Sequence, residues 1–511
     1  MATAAHSITG RSRLVVLRSA LWPPLLAVAI LVLISVCMDL LGLSESFGTW
    51  LWFSPLALLA ACALTAGRLI RGGTEWAFSP VVWALLALAA YYGFGPLIYS
   101  FGDQSVIRLL DAGFPVDNYW LFRTNLLNLV GILALLIGLL LPTYFGNLSG
   151  VARAIDIGRD IPAKTMLYVS IAVGFSVKYL IAIPRAFGLL GFTPPSTITE
   201  LQQLTLVSIV ISGFLTRSGT VAYRALFLLL IVADLSSGLL VNSKLATLQV
   251  LIAAMLGRAM ATRSTRTLLQ GFAVIALAAI LLNPIVSDSR AMGITDESSG
   301  ILQAVETRSQ LMLDAVSRFW RGESDSVERA PQSWWMRFCY APTQAFVLHE
   351  YDSGRPGDIG DNIFWVFVPR ALYSDKPLIN PGTAFSYLFD GNPDNSNAPG
   401  AIAEGYWYGG WVGLAIGGLY IGWILMALHS ISMRAILSEN WFLMPFVLMG
   451  IRAGFRVDGW FVMEYVGGIV MYVALLAVAL GLLRMASKPH DVWPRKRPCA
   501  AHASDRGSGW A

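Results

Sequence analysis

Glu404 stands in an otherwise apolar and aromatic run at 401–408, with Tyr406 two residues on. A carboxylate held there could take the proton of a sugar hydroxyl. That task needs a carboxylate or imidazole within hydrogen-bond reach. His349, Glu350, Asp352 and Asp375 lie in the same polar stretch, and His349 supplies its imidazole. Two plainer readings compete. A carboxylate in the first turn of a helix is favoured by the dipole alone, and a surface histidine needs no chemical role. Cations surround these acids: Arg290, Arg337, Arg370, Lys376, Arg452 and Arg456. The guanidinium fork binds phosphate through two hydrogen bonds and stays charged when half-buried. Arginines converging at one membrane face would suit a lipid-linked pyrophosphate. The competing reading is snorkelling of long side chains at helix ends. Lys178, Arg224, Asp234 and Glu464 fall inside apolar runs, where charges face a partner or a cavity. Lys178 and Asp234 either pair as structural glue or line a path for a hydrophilic substrate.

Membrane helices must position these residues. The 511 residues are 56% hydrophobic and 13% charged, with mean hydropathy +0.62. Soluble domains carry about 25% charged residues. The apolar runs are unbroken rather than alternating, so helices and not a barrel are expected. Twelve spans are expected, at about 21–38, 50–66, 80–100, 120–142, 165–184, 204–216, 221–241, 245–258, 267–285, 408–428, 440–452 and 463–483. Those at 204–216 and 440–452 are short. Arg68, Arg71, Arg153, Arg159, Lys164, Arg217, Arg258, Arg263, Arg434 and the tail cations all fall on one side of this layout. The positive-inside rule makes that side cytoplasmic and accounts for the net charge of +5 without nucleic acid.

The layout divides the chain into an N-terminal bundle at 1–285, a large outer loop at 286–407, terminal spans at 408–484 and a basic, disordered cytoplasmic tail at 485–511. In the loop, 298–321 has the pattern of an amphipathic helix lying on the membrane surface. Residues 323–332 are acidic, and a second helix is expected from Trp334 to about Glu350. From Tyr351 to Glu404, Gly, Pro, Asn and Asp force turns, while interleaved aromatics argue for packing. The four cysteines are scattered, with neither disulfide nor metal-ligand spacing. No phosphate-binding P-loop, dinucleotide fingerprint or HExxH is present. A reaction here must draw on an already activated substrate.

The stretch reading Val368-Pro369-Arg370, Asp375-Lys376-Pro377, Gly382 with Phe385, Pro399-Gly400, Glu404-Gly405-Tyr406 and Gly409-Gly410 with Gly413 resembles the Wzy-type family. These are polymerases of O-antigen and exopolysaccharide repeat units. The resemblance is close over about 50 residues and agrees with the span layout over most of the chain. It implies an all-α, polytopic integral membrane protein similar to the C-type glycosyltransferases, in the bacterial cytoplasmic membrane. It implies transfer of a growing glycan from undecaprenyl pyrophosphate to another lipid-linked repeat unit at the outer face. Neither cofactor nor metal is implied; the pathway's flippase and chain-length regulator are the implied partners. Arg370 and Lys376 would contact pyrophosphate. Glu404 would position or deprotonate the acceptor hydroxyl, with Tyr406 beside it against the glycan. Arg290 and Arg337 match further arginine positions, while Arg452 and Arg456 are added by placement alone. An O-antigen ligase is the nearest alternative, but the histidine-containing segment of ligases late in that loop is absent. A flippase would spread polar residues over many spans, which the concentrated polar loop opposes.

Overall fold

The computed structural model describes residues 2–43, 48–145, 160–191, 194–291, 301–321, 332–358, 360–368, 373, 376, 380–392 and 395–486. All regular structure among them is helical. Among the described residues eleven helices are long and apolar enough to cross a membrane: Arg13–Leu40, Gly48–Arg71, Pro80–Phe101, Asn118–Tyr144, Ala163–Ala186, Thr197–Ser218, Val221–Leu240, Lys244–Thr262, Thr265–Val286, Ala401–Leu437 and Phe461–Val478. The chain is a multi-pass membrane protein. The short span expected at 204–216 gains its length from the helical turns flanking it.

The twelfth expected span, at 440–452, is not among the eleven. It is the continuous helical stretch 441–458, made of Trp441–Leu443, Met444–Phe455 and Arg456–Asp458. Its apolar part is buried in the bundle at Val447 and Ile451. Arg452, Arg456 and Asp458 crowd its far end and make it too polar to count.

The centre of the bundle is a close crossing of Asn118–Phe145 with the long helix Ala401–Leu437. Glycines make it possible. A Cβ at Gly422 would stand 2.1 Å from the Leu135 carbonyl oxygen; at Gly138, 2.3 Å from that of Leu419; and at Gly418, 2.7 Å from that of Gly131. Helices in lipid gain from such small-residue seams because packing, not water exclusion, holds them together.

The long helix is broken at Gly409 and Gly410, and Gly410 has a left-handed φ of 57°. The break separates a short return helix, 401–408, from the span proper, 411–437. The expected boundary between loop and span at 407/408 therefore falls at this kink.

The large loop is not simply outside the bundle. Its helix Ala341–Asp352 is buried at Ala345, Val347 and Leu348. Gln344 and Asn128 exchange amide hydrogen bonds at 2.9 Å, so two buried polar groups satisfy each other. The amphipathic helix is observed at Ile301–Arg321. The second expected loop helix is two pieces, Ser333–Met336 and Ala341–Asp352, with Pro342 in the first turn of the second, where its missing N–H costs nothing. The turn-rich part contains Gly360–Phe367 and Pro381–Asp390. Arg224, expected inside a span, is exposed in the first turn of Val221–Leu240. The last helix runs to Ala486, and the tail beyond it lies outside the described residues.

Among the described residues three π-helical turns interrupt the spans, at Ala89–Phe94, Lys178–Ala182 and Phe461–Gly467. Such widened turns gather at functional sites. Two of the three meet at one place.

Candidate functional site

That place is a hairpin tip at 458–460, where the stretch 441–458 gives way to the turn Phe461–Gly467. Gly459 permits the reversal, since a Cβ there would meet Glu464 Cγ at 2.9 Å and Arg456 Nη2 at 3.1 Å. Arg456 and Glu464 form an ion pair across the hairpin at 2.9 Å. Arg456 Nε lies 3.7 Å from Asp458 Oδ1. Asp458 Oδ2 accepts a hydrogen bond from the Tyr340 hydroxyl at 3.0 Å, which ties the large loop to the tip. From the first π turn, Tyr92 donates to the Val457 carbonyl at 2.7 Å, and Tyr91 stands edge-on to Tyr340 with ring centroids 5.5 Å apart.

Glu404 is buried one step behind the tip. Its carboxylate accepts from the backbone N–H groups of Phe461 and Val462 and bonds the Tyr408 hydroxyl. It caps the helical segment starting at Phe461 from a different helix. The first N–H groups of a helix have no partner within it. Glu404 stands in the first turn of its own helix, as the dipole reading has it, and also caps the last span. Pro399-Gly400 delivers the return helix to this position. Gly400 has φ 88°, and a Cβ there would meet the Tyr92 hydroxyl at 2.7 Å.

Two atoms at the tip matter chemically. Asp458 Oδ1 and Arg456 Nε are both buried and have no hydrogen-bond partner among the described residues. One is an acceptor and the other a donor on a permanent cation. They face each other at 3.7 Å, a donor–acceptor pair too far apart for a hydrogen bond.

The other expected site residues divide. Arg452 reaches Glu200 at 3.2 Å, one turn before Arg456. Tyr406 donates to Asp352 at 2.8 Å in a second polar network. There Arg123 lies 3.4 Å from Asp352, 3.6 Å from Asp39 and over the Trp411 ring at 5.8 Å. His349 is exposed, its ring against Phe114 and Trp120 with centroids 5.7 and 5.8 Å away. That is the packing role. Arg337 is exposed on the link between the two loop helices. Lys376 donates to the Val368 carbonyl at 2.9 Å. Arg290 closes the helix Thr265–Ala291, and its side chain, like all of Arg370, lies outside the described residues. Among the described residues, no group of His, Cys, Asp and Glu is arranged to hold a metal.

Asp458, Tyr340 and Arg123 were not singled out from sequence. Arg123 carried a signal, a charge inside the expected span 120–142. Asp458 and Tyr340 are 118 positions apart, and no spacing rule joins them. No family model, characterised protein or solved structure matches the chain.

Proposed function

We propose that the chain is a glycosyltransferase that joins lipid-linked oligosaccharide repeat units into a surface polysaccharide, with an undecaprenyl-pyrophosphate glycan as donor. The motif resemblance supplies the substrate class. The observation that carries the reading is the ion pair at the hairpin tip, Asp458 Oδ1 and Arg456 Nε, which face each other at 3.7 Å with neither atom hydrogen-bonded.

The acceptor hydroxyl donates to Asp458 Oδ1. Its oxygen bonds to the anomeric carbon as the bond from that carbon to the pyrophosphate oxygen breaks. The proton ends on Asp458, and the electron pair leaves with pyrophosphate. Arg456 stabilises the charge that grows there, where a fixed cation in a dry site is most effective. Glu464 and Tyr340 hold the two groups in register. Glu404, the expected base, becomes a positioning residue that anchors the hairpin. Arg370 and Lys376 keep the pyrophosphate role that the resemblance gives them.

The test is glycan analysis of a deletion strain complemented with wild type, Arg456→Gln or Asp458→Asn. Single lipid-linked repeat units should accumulate at the outer face in both variants, with normal amounts of protein in the membrane. Full-length polymer retained on the lipid carrier would mean a ligase. Single units held at the inner face would mean a flippase.

A further inference from the structure

A polar cavity of about 330 Å³ opens among the N-terminal helices, lined by residues of Ala163–Ala186, Thr197–Ser218, Val221–Leu240 and Lys244–Thr262. It shares no lining residue with the hairpin site. Lys178 and Asp234 form an ion pair in its wall, and Thr205 donates to the second carboxylate oxygen at 3.2 Å. Lys178 opens the third π turn. Charges buried this way are costly, and inside a membrane they face a partner or a cavity; here they do both.

We propose that this cavity binds a saccharide unit, at a site separate from the hairpin tip. The lining chemistry selects the ligand. Gln202, Gln203 and Gln249 each offer a donor and an acceptor, while the Ser237 and Ser243 hydroxyls in the wall each already make one bond, to the Asp234 carbonyl and from the Ala246 N–H. A polyol needs both kinds of partner. A phosphate needs donors only, and the lining also holds Lys178 and Arg185 against the one carboxylate of Asp234, so the phosphate competition below decides between the two ligands. Size agrees. The volume is about ten times the ~30 Å³ of one water, so a lone ion would leave most of it unfilled. It also falls within the ~300–1,000 Å³ of small-molecule pockets.

The cavity is a pocket and not a channel. On the helix beyond Thr205, the hydroxyls of Ser208 and Ser212 bond to carbonyls of their own helix, and Val207, Val210 and Leu230 are buried there. One side meets the large loop. Arg308 of the amphipathic helix donates to the Ala186 carbonyl at 3.1 Å, and Val305 packs against the small cluster of Ile183 and Phe187, as does Val241 of the cavity lining. The turn carrying Gln202 and Gln203 also carries Glu200, the partner of Arg452. One short helical segment thus touches both the cavity and the stretch that ends in the hairpin. The assignment rests on the cavity's own chemistry and is separable from the transfer reaction.

The experiment is saturation-transfer NMR on the purified full chain in nanodiscs, with glucose, galactose, mannose, N-acetylglucosamine and glucuronic acid as probes. Transfer to at least one sugar is expected in wild type and in Asp458→Asn. Gln203→Ala and Gln249→Ala, polar changes that leave the ion pair intact, should each weaken it about ten-fold, the order of one lost hydrogen bond. No transfer to any probe, or transfer unchanged by both glutamine variants, overturns the proposal. So does displacement of bound sugar by inorganic phosphate, which would make this an anion site. Sugar binding lost only in Asp458→Asn would move the sugar to the hairpin tip, refuting the cavity site while sparing the transfer reaction.

Discussion

Arg456 serves two carboxylates, and each of its substitutions should read out a different role. Arg456→Ala leaves Asp458 and Glu464 without their cation; the pair is half-buried, so the loss should fall below the ~3–5 kcal/mol of a fully buried pair. Thermal unfolding in detergent should show that loss. Arg456→Lys keeps the charge but not the planar fork, so the protein should fold and turn over slowly. Glu404→Gln keeps the shape and an oxygen acceptor for the last helix. It should lower thermal stability and still leave measurable polymer. Complete loss of polymer with unchanged stability would return Glu404 to the role of base. Outside the spans, Arg355 donates to Glu350 through Nε and Nη2, both at 2.7 Å, and holds that carboxyl below its usual range. A lowered folded value contributes stability above the ordinary carboxylate range and loses it as pH falls through the folded value. Arg355→Ala should remove that small acid-side slope of thermal stability, and an unchanged slope would show the pair to be idle. Glu404, Tyr406 and Arg456 were legible as polar residues in apolar surroundings. Asp458 was not, because its meaning comes from Tyr340 on a distant segment.

The spans were legible because a bilayer leaves the backbone no alternative to long apolar helices. What joins them was not. The seam of Gly131, Gly138, Gly418 and Gly422 depends on which helix faces which, and no single run of sequence states that. Gly422→Ala should cost about 1–3 kcal/mol by overpacking, because the obstructing atom is a backbone carbonyl oxygen. Gly409→Ala, where a Cβ meets nothing within 4 Å, should be tolerated. Equal thermal stability of the two variants would refute the seam. The stretch at 440–452 was legible as apolar, but the charges at 452–458 make it half span and half site. The boundary expected at 407/408 lies beside the break at Gly409 and Gly410, but the return helix 401–408 before it was not legible.

At the scale of the whole molecule, composition alone announced a membrane protein. The orientation expected from the basic loops has a direct test. A single cysteine at Ser353 should react with a membrane-impermeant thiol reagent in intact cells, and one at Ser438 only after permeabilisation. The reverse pattern would turn the molecule over and place its chemistry in the cytoplasm. The docking of loop helix Ala341–Asp352 into the bundle was not legible, since its polar residues read as loop until Asn128 and Tyr406 are seen to receive them. That docking brings Tyr340 to Asp458 and completes the hairpin site. The central claim is that Asp458 and Arg456 form the reaction centre. The measurement that tests it most directly is the initial rate of polymer formation by the purified chain from lipid-linked repeat units, wild type against Asp458→Asn, with both samples matched for thermal stability. Loss of a general base should slow the reaction by about 10²–10⁴-fold. A rate equal to wild type would take the proton transfer away from Asp458 and the reaction away from the hairpin.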